Sequence, residues 1–90
     1  MSAETRMWAA QILSTLSDYN RDHARAVRTN RGADKVIADA TRYFSGNAGR
    51  ARLDFAGVNP DMDVLLALIT LPRAEFKARL TMDRKEEAAA

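Results

Sequence analysis

Apolar residues recur along this chain at the three- and four-residue intervals of an α-helix, and nowhere do β-branched residues alternate over a stretch long enough for a strand. In the first segment Trp8, Ile12, Leu16, Tyr19, His23 and Val27 form one stripe, flanked by Met7 and Leu13, with Ser2 placed to cap it. Run from Ala3 to Arg28, such a helix is about 39 Å long, whereas a compact domain of this size is about 30 Å across. The first helix is therefore expected either to overhang the core or to break near Asp18-Tyr19-Asn20. Thr29-Asn30-Arg31-Gly32 ends it, with Gly32 suited to the left-handed conformation at a helix C-terminus.

A second helix is expected from Asp34 to Phe44, because Val36, Ile37, Ala40, Tyr43 and Phe44 share one face. Ser45-Gly46-Asn47 stops it, and a short third helix runs from Ala48 to Ala56 before Gly57. Asn59-Pro60-Asp61 reads as the start of a fourth: a capping asparagine, a proline at the first helical position and an acid in the first turn. Val64, Leu65, Leu66, Leu68, Ile69 and Leu71 make that helix apolar on nearly every side, which predicts a central element covered all round. Pro72 either opens a fifth helix over Arg73 to Leu80 or kinks the fourth. Residues 81–90 lack hydrophobic spacing and are expected to fray. The expectation is an all-α fold: one domain over residues 1–80, a compact bundle of four to five helices with a long N-terminal helix and a central apolar one.

Ninety residues leave room for one core, and 47% apolar with 29% charged residues is an ordinary globular balance. Without cysteine, disulfides and thiolate metal sites are excluded. The N-terminus has no basic start followed by an apolar run, and no stretch approaches the roughly 18 apolar residues of a membrane span, which places the protein in the cytoplasm. The net charge is only +2, but residues 19–52 carry eight basic against three acidic side chains, a local +5 that points to a polyanionic partner.

Catalytic chemistry finds little to work with. His23 is the only histidine, so a metal site would have to be built from carboxylates around it, and no cofactor is expected. Asp61 and Asp63 diverge on a helix, and no serine stands at nucleophile spacing from a histidine. The expectation is a binding protein rather than an enzyme. Arg21, Arg25 and Arg28 form a basic stripe on the first helix, with Asp18 and Asp22 each three residues ahead of an arginine. With Arg31 and Lys35 they make the leading candidate partner surface. The second candidate is Arg42, Arg50 and Arg52 around Gly46-Asn47-Ala48-Gly49, a site for DNA or RNA. That segment resembles the Gly-x-x-Gly loop of KH domains, which need a sheet this sequence does not offer. Leu53 to Pro60 resembles the turn of a helix-turn-helix, but Asp61, Asp63 and the apolar run after them suit a DNA groove poorly.

Trp8, an Ala-x-x-Tyr-Phe-Ser stretch at Ala40, Tyr43, Phe44 and Ser45, and Ala56-Gly57-Val58-Asn59-Pro60-Asp61 together resemble short helical proteins encoded by phages and prophages. The resemblance spans roughly half the chain and implies an accessory protein acting on host or viral nucleic-acid machinery, without assigning a site residue. A first helix longer than the domain also leaves apolar side chains that a second copy would cover, so a homodimer, or a self-assembling structural subunit, is a further expectation.

Overall fold

The computed structural model describes residues 3–79. Within them the chain forms α1 (Ala3–Thr29), α2 (Ala33–Ser45), α3 (Asn47–Phe55) and α4 (Met62–Ile69), with a further helix, α5, over 73–79. The fold is all-α, and no strand occurs among the described residues.

The helix α1 is unbroken through Asp18-Tyr19-Asn20, and its 27 residues, about 40 Å at 1.5 Å each, match the longest dimension of a molecule measuring 41 × 31 × 18 Å. The helices pack as a compact bundle, flattened to 18 Å in its shortest dimension, in which α1 contacts α2, α3 and α4. The buried line on α1 is Ile12, Leu16, Asn20 and Ala26, rather than the stripe ending in His23 and Val27. Val27 is 59% exposed, because a helix turning 3.6 residues per turn carries a strict four-residue spacing off the core.

Asn30, not Gly32, ends α1. With φ 56° it takes the left-handed position, while the Arg31 amide donates to the Ala26 carbonyl and the Asn30 amide to that of Val27. This double bond pattern satisfies two carbonyls of the last turn. Gly32, with φ 80°, then sets the direction of α2. In α2, Ala40 and Phe44 are fully buried, and Phe44 packs edge-on to Tyr43 and tilted against Tyr19. Between α2 and α3 there is no loop, because Gly46 alone caps both helices.

Two expectations about α4 are overturned. It starts at Met62 behind Asp61, whose carbonyl accepts from Val64 and Leu65, so Asn59 does not cap it and Pro60 lies outside. Pro60 instead lines, with Val58, an apolar groove beside α1. Nor is α4 covered all round. Leu65 and Ile69 are buried and Leu66 and Leu68 partly so, but Val64 is 51% exposed, since only α1 and α2 pack extensively on this two-turn helix. After Leu71, Pro72 opens α5, its carbonyl accepting from the Phe76 amide, and Phe76 returns to the core. The predicted end of that helix at Leu80 and the predicted tail over 81–90 lie outside the described residues.

One side chain ties these elements together. Asn20 is fully buried, and its Nδ2 lies 3.3, 3.0 and 2.8 Å from the carbonyl oxygens of Leu68, Ile69 and Leu71. The last turn of a helix leaves carbonyls without intrahelical partners, and here α1 supplies the missing donor to α4. Arg73 donates to Asn20 Oδ1 at 3.2 Å and to the Ser17 carbonyl at 2.9 Å, fastening α5 to the same point. An amide oriented this way both donates to carbonyls and accepts from a guanidinium; the reverse orientation would oppose like groups.

Candidate functional site

The α1–α2 elbow collects the leading set of basic residues. Because Asn30 and Gly32 both take positive φ, the chain folds back within three residues, and the last turn of α1 comes to lie beside the first turn of α2. Arg25, Arg31 and Lys35 thereby line one open groove of about 380 Å³, floored by Ala26 and Val36. Arg28 is exposed on α1 three residues beyond Arg25, and Arg21 lies a turn before it.

Two acids, Asp22 and Asp39, also line the groove. Each approaches an arginine outside it: Asp22 lies 3.9 Å from Arg21, and Asp39 lies 3.8 Å from Arg42. Arg21 is also within 3.4 Å of Asp18. The expected Asp22–Arg25 pair does not form, since Asp22 turns to Arg21. Among the described residues no ion pair involves Arg25, Arg28, Arg31 or Lys35. The elbow therefore presents three cations on one groove and a fourth nearby, interspersed with two acids that pair with arginines outside it.

The second basic set does not converge in the same way. Arg42 faces Asp39, and Arg52 donates to the Tyr43 hydroxyl at 2.5 Å. The Arg52 guanidinium carbon lies 5.8 Å from the Tyr43 ring centre, a separation that the hydroxyl contact accounts for without stacking on the ring face. Arg50 is exposed and outside any ion pair among the described residues. Gly46-Asn47-Ala48-Gly49 is not a flexible connection but a sharp helical corner. Gly49 is buried, and a Cβ there would stand 2.1 Å from the Tyr43 carbonyl oxygen and 3.1 Å from the Phe44 Cα. The glycine serves close approach of α3 to α2, and a backbone clamp of the KH kind is not formed. The turn after α3 is likewise a helix stop: Gly57, with φ 75°, lets the Val58 amide donate to the Leu53 carbonyl.

Tyr19 and Tyr43 lie with ring centres 6.2 Å apart where α1 crosses α2. Burial, then the neighbouring Tyr43, Asp39 and Asp22, raise the Tyr19 phenol above its ordinary value. His23 is half-buried on α1, and among the described residues no group of three or more histidines or acids is arranged to hold a metal ion. Among the same residues no helix is long and apolar enough to cross a membrane.

Sequence reasoning missed a second surface. Ile12, Leu13 and Leu16 of α1 face Val58, Pro60, Val64 and Leu68 across an apolar groove of about 280 Å³. Leu13, Val58 and Val64 are each more than two-fifths exposed at its rim. The surplus of apolar positions around α4 was the available signal: a two-turn helix cannot bury every side in a bundle this thin.

The chain matches no family model, no curated protein and no solved structure.

Proposed function

We propose that this chain is a non-enzymatic helical interaction protein, acting in the cytoplasm, that binds an acidic surface of a protein partner at the α1–α2 elbow. The observation that carries the reading is the convergence of Arg25, Arg31 and Lys35 on one groove whose two acids face arginines outside it. Cations outside any ion pair, gathered on one surface, raise the local concentration of an anionic partner and speed its encounter.

A protein fits this pattern better than a nucleic acid. The cations are interspersed with Asp22 and Asp39, which would repel a continuous line of phosphates but suits spaced carboxylates. Val27 stands exposed between Ala26 and Arg28, and an apolar contact among charges is the composition of a protein interface. A phage origin would make the partner a component of host or viral nucleic-acid machinery.

Replacing Arg25, Arg28 and Arg31 together by glutamate tests the proposal. Exposed charges contribute little to stability, so helical content and Tm should stay nearly unchanged while capture of an acidic partner from the native host is lost. Retained capture by the folded triple variant would refute it. A steeply salt-dependent affinity for DNA or RNA that is lost instead on replacing Arg42, Arg50 and Arg52 would make the protein a direct nucleic-acid binder.

A further inference from the structure

We propose that the apolar groove between α1 and α4 receives a basic amphipathic helix from a protein partner. The groove lies along the N-terminal half of α1, with Ile12 about 24 Å from Arg28 along the helix axis, so it is separate from the elbow.

Its two walls differ in a way that identifies the occupant. The α1 wall comes from residues 9–16, which carry no charged side chain. The opposite wall comes from residues 53–68, whose only charges are Asp54, Asp61 and Asp63. All three acids are exposed, and none takes part in an ion pair among the described residues. Asp61 and Asp63 lie in the chain between Pro60 and Val64, both of which line the groove. An apolar slot with exposed acids in the stretch that forms one of its walls calls for a ligand that is apolar along one stripe and cationic beside it. A helix with leucine-like residues at i, i+3, i+4 and i+7 and lysine or arginine on its flanks has that form.

Charge also argues against a symmetric second copy. A two-fold contact centred on this groove brings the same patch from both chains together, and the stretches that line it, residues 9–16 and 53–68, carry acids and no base.

The test uses the full-length protein and three synthetic peptides of about 18 residues. One is a leucine/lysine peptide with helical amphipathic spacing, the second the same pattern with glutamate for lysine, and the third the first composition scrambled. Calorimetric titration should show saturable binding of the first alone. Asp61→Lys with Asp63→Lys should weaken it at least tenfold at low salt, and Leu13→Glu with Val64→Glu should abolish it. These are exposed positions, so circular dichroism should show the fold retained.

The proposal is overturned if the lysine peptide does not bind, if the glutamate or scrambled peptide binds equally well, or if binding survives the groove substitutions. It is equally overturned if sedimentation shows the unmodified protein to be a dimer that Leu13→Glu with Val64→Glu converts to monomer, since a second copy would then fill the groove. The peptide comparison needs only the unmodified protein, so it decides the matter even if a variant fails to fold.

Discussion

Replacing Asn20 by alanine removes the donor that α1 lends to the end of α4. The Nδ2 group has two hydrogens for three carbonyls, so at most two of the three contacts are full hydrogen bonds, and the shortest are to Leu71 at 2.8 Å and Ile69 at 3.0 Å. Ile69 is fully buried, and stranding its carbonyl should cost about 1–3 kcal/mol. Leu71 is partly exposed, so water recovers some of its bond and the loss there is about 0.5–1.5 kcal/mol. Arg73 loses Asn20 Oδ1 but keeps the Ser17 carbonyl. The expected total is about 2–4 kcal/mol, a large share of what a domain this size possesses. Urea unfolding followed by circular dichroism at constant m-value measures it. Asn20→Asp sharpens the test: a carboxylate keeps the Arg73 contact but has no hydrogen for the Ile69 and Leu71 carbonyls, so at neutral pH it should lose stability although it matches asparagine in shape. A loss below about 1 kcal/mol for Asn20→Ala, or an Asn20→Asp variant as stable as the original protein at pH 7, would refute the reasoning.

Gly49→Ala should destabilise by about 1–3 kcal/mol despite alanine's better helix propensity, because its methyl group meets the Tyr43 carbonyl; thermal melts showing a gain would contradict the close crossing. Ile69→Ala should cost about 2–5 kcal/mol and Leu66→Ala less, because Ile69 is fully buried and Leu66 only partly; equal losses in urea unfolding would restore a fully enclosed α4. The raised Tyr19 phenol gives stability that is complete below the unfolded pKa near 10 and is lost as pH rises through the higher folded value. Tyr19→Phe should therefore flatten the alkaline fall in Tm above pH 10, and an unchanged fall would show that Tyr19 does not contribute to it.

What the sequence disclosed and what it concealed divide along physical lines. The period of Val36, Ile37, Ala40, Tyr43 and Phe44 places α2 nearly to the residue, since a helix that buries one face writes that face into local spacing. The basic elbow was visible as a cluster, but not its groove, which depends on the fold-back at Asn30 and Gly32 and on Asp22 turning to Arg21 rather than Arg25. Asp18-Tyr19-Asn20 was read as a possible break in α1 on the helix's length alone, whereas the partners of Asn20 lie 48 to 51 residues away and leave no local trace. Gly49 likewise resembled a loop residue, and only the approach of the α2 backbone explains it. The apolar run at 64–71 suggested full enclosure, but in a molecule 18 Å thick part of it becomes the wall of an open groove.

The central claim is that the α1–α2 elbow is the partner surface, and backbone amide shifts during titration with an acidic peptide test it residue by residue. A glutamate-rich peptide added to the isotopically labelled full-length protein should move the amides of residues 25–36, including Arg25, Arg28, Arg31 and Lys35. Those around Arg50 and Arg52 should stay still, and the shifts should vanish in the Arg25→Glu, Arg28→Glu, Arg31→Glu variant. Shifts centred on the α2–α3 corner, or none at the elbow at saturating peptide, would contradict the account.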